Sequence, residues 1–140
     1  TMCEFWTLKQ SHNHVMMGSI DAWFYKVLAG IQLDEQHPGF KEFSIRPFIA
    51  EGLDHVEAST STLRGEIKVN WHRSEDEFNL EAVIPFNTKA IVYIPGNKED
   101  HLQINESDIL EQPLVEILDY QDGYHALKVP SGSWNFTLKQ

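Results

Sequence analysis

The chain has 140 residues, of which 41% are hydrophobic and 11% aromatic, enough for one domain with a sizeable core and too apolar for a disordered segment. Eleven Lys and Arg against 21 Asp and Glu leave a formal charge of −10. That balance argues against a nucleic-acid backbone, which needs clustered cations, and against anionic membranes. No apolar run reaches the roughly 18 residues of a membrane helix.

At the N-terminus, Glu4, His12, Asn13 and His14 stand beside Phe5 and Trp6, a mixture of ionisable and aromatic groups typical of a ligand pocket. Glu4 suits a general base held near a water, or a solvated terminal acid. Trp6 suits an apolar platform for a sugar ring, and His14 a donor to a hydroxyl or a polar residue at a helix start. His12 and His14 form an H-x-H pair, but zinc needs three or four convergent ligands, and the other five histidines are scattered; no metal and no cofactor are expected. Cys3 is the single cysteine, so no intrachain disulfide forms, and it has no basic neighbour in sequence to activate it. The chain opens on Thr1 rather than Met and reads as an internal piece of something longer.

Ile20, Trp23, Phe24, Val27, Leu28 and Ile31 recur at steps of three and four, one face of an α-helix, with Ser19 or Asn13 as its cap and Gly30 near its end. Trp, Phe and Tyr crowd positions 23–25, so this helix requires packing on more than one side. After a polar turn-rich stretch, Asp34 to Gly39, the period becomes two. Phe43–Arg46 alternates and stops at Pro47. Val56–Thr62 and Ile67–Trp71 follow, then an acidic hairpin loop at 74–77. Phe78–Ile84 ends at Pro85, and Ile91–Ile94 ends at Pro95. Residues 97–113 carry weak pattern. Val115–Tyr120 and Tyr124–Val129 flank an Asp122-Gly123 turn signal, and Trp134, Phe136 and Leu138 alternate after a turn at Ser131-Gly132. Seven or eight short strands predict a mainly β fold, an antiparallel β-sandwich of jelly-roll type, preceded by one α-helix. Trp71 and Trp134 sit at inward-reading positions.

The ordered series Thr1-x-x-Glu4-x-Trp6, Ser11-x-Asn13-His14, Gly18-Ser19-Ile20-x-x-Trp23-Phe24-Tyr25, Pro38-Gly39-Phe40-Lys41, Phe43-x-Ile45-Arg46-Pro47, Gly65-x-Ile67-x-x-x-Trp71 and Ile84-Pro85-x-Asn87-Thr88-x-Ala90 closely resembles the C-terminal part of bacterial α-L-rhamnosidases. The resemblance covers essentially the whole chain and is strongest in residues 1–48. It implies a multidomain inverting glycosidase with an (α/α) barrel followed by a β-sandwich. Residues 1–33 would then be the last strip of the barrel, a pocket loop and the final helix left over from it, and residues 40–140 the C-terminal sandwich. Inverting hydrolysis uses two carboxyls roughly 6.5–9.5 Å apart, with room for a water between them. The resemblance places the general base at Glu4 and sugar contacts at His14 and Trp6. Cys3 stands where many members have Trp, and the loop between Trp6 and Ser11 is shorter than in several. The general acid and other sugar-binding carboxylates lie upstream in this family, so the chain alone is expected to be inactive. Its implied partners are α-L-rhamnosides in the parent enzyme and the missing catalytic barrel. An apolar patch around Ile20, Trp23, Phe24 and Val27 would otherwise drive self-association. The competing reading is a non-catalytic carbohydrate-binding or purely structural sandwich; the carbohydrate-binding form needs Trp71 and Trp134 on the surface.

Overall fold

A computed structural model describes Thr7, Lys9, His12 and residues 19–139. Its elements run in chain order as helix α1 (Ser19–Trp23) continued by a π-helical turn (Phe24–Leu28), then strands β1 (Ile31–Leu33), β2 (Glu42–Ile45), β3 (His55–Thr62), β4 (Gly65–Arg73), β5 (Glu77–Pro95), β6 (His101–Ile104), β7 (Ser107–Asp108), β8 (Glu116–Gln121) and β9 (Tyr124–Lys139), with a short 3-10 turn at Ile109–Glu111. The mainly β fold with one leading helix is the architecture that the sequence pattern calls for.

Two long strands organise the molecule. The first half of β5 and the second half of β9 pair through Phe78↔Leu138, Leu80↔Phe136 and Ala82↔Trp134, and the remaining halves through Ala90↔Val129 and Val92↔Leu127. The first pairing continues outward to β4 and β3 on one side and to β6 and β7 on the other. The second continues to β2 and β1, and to β8. Both strands therefore pass from one layer of the sandwich into the other. All pairings are antiparallel except β2 with β5, which is parallel (Phe43↔Ala90), so the sheet is mixed rather than wholly antiparallel.

The corner lies where Ile84 pairs with Gly132 and Lys89 with Pro130. Residues 85–88 of β5 stand there against residue 131 alone, an odd difference of three. Because side chains alternate with period two, the offset reverses the inward parity of one strand. On β9, even-numbered Trp134, Phe136 and Leu138 are buried beyond the corner and odd-numbered Leu127 and Val129 before it, whereas β5 keeps Leu80, Ala82, Ile84, Ala90 and Val92 inward. Asn87 takes the left-handed conformation there (φ 64°), which Asn tolerates better than most residues. The buried Thr88 hydroxyl donates to the Pro85 carbonyl at 2.6 Å. Pro85 and the Ser131-Gly132 pair therefore mark this corner and do not end strands. The four short strands expected around them are two long ones.

Two further expectations are corrected. Ile31 completes no helical face: the helix stops at Leu28, and Ile31 begins β1, paired with Ile45 and buried. Residues 97–113, expected to be irregular with weak pattern, hold β6, which drops Leu102 and Ile104 into the core. The Asp-Gly signal holds as read: Asp122 and Gly123 both have positive φ (52° and 81°), the requirement of the hairpin turn whose twist matches the flanking strands. Inward residues of both layers form one contiguous core, with Trp71, Phe136, Leu80 and Ile94 among its largest fully buried side chains.

Candidate functional site

The helical segment is attached to the sandwich by its C-terminal end. A helix leaves its last carbonyls without intrahelical partners. Here the Val27 carbonyl accepts from the Phe48 backbone N–H at 2.9 Å, the Leu28 carbonyl from the Trp71 indole Nε1–H at 2.8 Å, and the Lys26 carbonyl from the Gln32 side-chain amide at 3.3 Å. The last turn is wide: the Ala29 N–H reaches back five residues to the Phe24 carbonyl at 3.0 Å, the π-helical register that often marks functional segments. Gly30 then turns the chain with φ of 75°. A Cβ at this position would run into the Arg46 carbonyl and Pro47 nitrogen. The Gly30 carbonyl accepts from the Arg46 N–H at 2.9 Å. Only glycine satisfies both the left-handed φ and the close backbone approach.

Arg46 secures the same junction from the other side. Its guanidinium lies over the rings of Tyr124 and Tyr93, 4.7 and 5.2 Å from their centroids, and 3.6 Å from the Asp122 carboxylate. The Tyr124 hydroxyl donates to the Pro47 carbonyl at 3.1 Å. Cation–π contact holds a half-exposed arginine without burying its charge.

The helix has the opposite character from this fixed base. None of its residues is buried. Ile20, Trp23, Phe24 and Tyr25 keep 51, 43, 47 and 40% of their surface exposed, and Val27 is intermediate. Trp23 and Phe24 pack edge to face at 5.7 Å between centroids. Between helix and β3, Phe24, Tyr25, Leu28, His55 and Val56 line an open cleft of about 460 Å³. The segment is thus an apolar, aromatic face held in a fixed direction by polar bonds at one end. Of the apolar patch expected around Ile20, Trp23, Phe24 and Val27, the first three residues are exposed and Val27 is half-buried.

Glu4, Trp6 and His14, the residues expected to contact substrate, lie outside the described residues. Trp71 and Trp134 are buried, with 0 and 8% of their surface exposed, and their indole N–H groups are taken by the Leu28 and Pro130 carbonyls. Neither offers a stacking platform, which removes the feature on which the carbohydrate-binding reading rested. The role of Trp71 as tether of the helix has no local sequence signal, because its partner is 43 positions away. Away from the helix, the His37 ring holds the Asp34 carboxyl below its ordinary range through a side-chain hydrogen bond, aided by the Gln36 backbone N–H. No helix among the described residues is long and apolar enough to cross a membrane.

Residues 30–107 match the family profile of the bacterial alpha-L-rhamnosidase C-terminal domain. A sandwich of two layers joined by bent strands, with an aromatic helix tied to its edge, is thereby assigned to a class: the chain belongs to this C-terminal domain family. An alpha-L-rhamnosidase from Streptomyces avermitilis is 29% identical over 128 residues, which cover 91% of this chain and 12% of that protein. One from an Alteromonas species is 38% identical over 87 residues, 62% of this chain and 9% of that protein. Among solved structures, the alpha-L-rhamnosidase of Dictyoglumus thermophilum superposes with a TM-score of 0.81 at 31% identity, over 93% of this chain and 14% of that one. The S. avermitilis enzyme complexed with L-rhamnose gives 0.77 at 29% identity, over 91% and 11%. The chain therefore spans between about a tenth and a seventh of the length of these relatives.

Proposed function

We infer that this chain is the closing part of an enzyme that hydrolyses terminal α-L-rhamnosyl bonds with inversion. The observation that carries this reading is the likeness to rhamnosidases across nine-tenths of the chain, which extends beyond the sandwich into the N-terminal segment. In this reading residues 1–33 form the last strip of the catalytic barrel, and residues 40–140 the sandwich on which β1 is laid. Glu4 takes the proton of a water as that water attacks the anomeric carbon. A carboxylic acid from outside this chain protonates the departing oxygen on the opposite face. His14 donates to a sugar hydroxyl, and Trp6 gives the ring an apolar wall.

The sandwich acts structurally. It fixes the direction of the helix, and the catalytic barrel covers the exposed face of Ile20, Trp23, Phe24 and Tyr25. Without that barrel the chain is inactive and self-associates through the same face. The test is hydrolysis of a chromogenic aryl α-L-rhamnoside by the full-length enzyme and by its Glu4→Gln variant. Loss of a general base lowers turnover by about 10²–10⁴-fold, with the glutamine amide keeping the shape of the carboxylate. Unchanged turnover would remove Glu4 from the chemistry, and absence of turnover in the parent would remove the activity itself.

A further inference from the structure

The turn between β1 and β2 gathers three donor-bearing side chains. Asp34 follows β1, His37 lies on the turn, and Glu42 opens β2. The chain reverses at Gly39 and Phe40, both with positive φ (75° and 56°), which returns Glu42 alongside Asp34. One donor atom from each residue, a carboxylate oxygen from Asp34 and from Glu42 and a ring nitrogen from His37, lies within 4.8 Å of the other two. His37 Nδ1 is 2.8 Å from Asp34 Oδ2, while Asp34 Oδ1 accepts the Gln36 N–H at 2.9 Å. All three side chains are half-buried. Asp34 and Glu42 also line an adjoining cleft of about 220 Å³, which gives an ion and its waters a route in.

We propose that Asp34, His37 and Glu42 form a three-ligand site for a divalent ion of the zinc class, with water completing its shell. The donor set decides the class. One imidazole and two carboxylates suit zinc and its neighbours, whereas calcium and magnesium prefer oxygen alone. Lys89 and Lys128 share the cleft, and their charge opposes any cation there, so an ion is held only through strong coordinate bonds to the three donors. Bonds of about 2.0–2.2 Å place tetrahedral donors about 3.4 Å apart, so the Asp34–His37 pair at 2.8 Å opens slightly while Glu42 adjusts within the 4.8 Å that spans the three donors, movements open to half-exposed side chains. The ion takes the lone pair of His37 Nδ1, the ring proton moves to Nε2, and the Asp34 hydrogen bond gives way to coordination. The bound ion then clasps the end of β1 to the start of β2.

The test uses the full-length protein, stripped with a chelator and titrated with Zn²⁺ by calorimetry and with Co²⁺ by visible absorption. His37→Gln and Asp34→Asn each abolish one bound equivalent, and Glu42→Gln weakens that equivalent by at least about tenfold, the scale of losing even an outer partner of a metal ligand. His37→Cys keeps the equivalent and adds a thiolate-to-cobalt charge-transfer band, which separates loss of a ligand from damage to the turn. Unchanged stoichiometry and affinity in the first three variants would overturn the site. So would loss of the equivalent in all four variants, or no bound zinc in the parent at submillimolar concentration.

Discussion

The helical segment and the sandwich obey opposite rules within one short chain. The sandwich buries its inward side chains to near completion, down to 0% exposure for Trp71, Phe136 and Leu127. The helix buries none of its own, although Trp23, Phe24 and Tyr25 stand consecutively in it. A helix whose apolar side chains stay about half exposed gains less from folding, because most helical stability in proteins comes from packing of that face. This one is held through the carbonyls of its last turn, by Gln32, Phe48 and Trp71. The difference separates an element that stabilises the domain from one that the domain presents.

Substitutions in the two regions should therefore behave differently. The largest effect is expected from Phe136→Ala in the centre of the sandwich. Emptying a fully buried aromatic site costs about 3–5 kcal/mol, and denaturant unfolding of the 140-residue chain should show both layers of the sandwich lost together. A partial loss confined to one layer would contradict the single core. Next comes Trp71→Phe, which keeps most of the core volume and removes the donor to the Leu28 carbonyl. The expected cost is about 1–2 kcal/mol, and limited proteolysis should show faster cleavage within residues 19–28 while cleavage in β4 and β5 stays unchanged. Equal loosening everywhere would mean that Trp71 acts as filler and not as tether. The smallest effect on stability is expected from Phe24→Ser. In the isolated chain it should shift the unfolding free energy by no more than about 0.5 kcal/mol while reducing self-association measured by sedimentation. A large destabilisation would show that the helix face packs on the sandwich after all.

Legibility in the sequence followed the same division. Strands with one wet and one dry face were readable from alternation, as in Ile67, Val69 and Trp71, and the hairpin at Asp122-Gly123 from its demand for positive φ. The corner was not readable. Pro85 and Gly132 are strand-ending residues by local rule, yet here the missing N–H of proline and the open φ of glycine (146°) serve a bend that continues both strands. The parallel pairing of β2 with β5 has no local signal, since it depends on where the long strand goes after its bend. Ile31 fitted the helical period by coincidence of spacing; Gly30 and its contact with the Arg46 carbonyl end the helix first. β6 is four residues long, too short for alternation to stand out between the charged and polar residues that flank it. The family relationship was readable because it lies in an ordered series of motifs rather than in periodicity. Glu4, Trp6 and His14 stood out as a mixture of ionisable and aromatic groups, but their residue types alone left a solvated terminus open, and only the resemblance assigned them roles.

The central claim is that the sandwich stands by itself while the helix is completed by the rest of the enzyme. Amide hydrogen exchange of the 140-residue chain beside the full-length protein tests it most directly. The account predicts equal protection of β4, β5 and β9 in both, and protection of residues 19–28 that is strong only in the full-length protein. Equal protection of residues 19–28 in the two would contradict it.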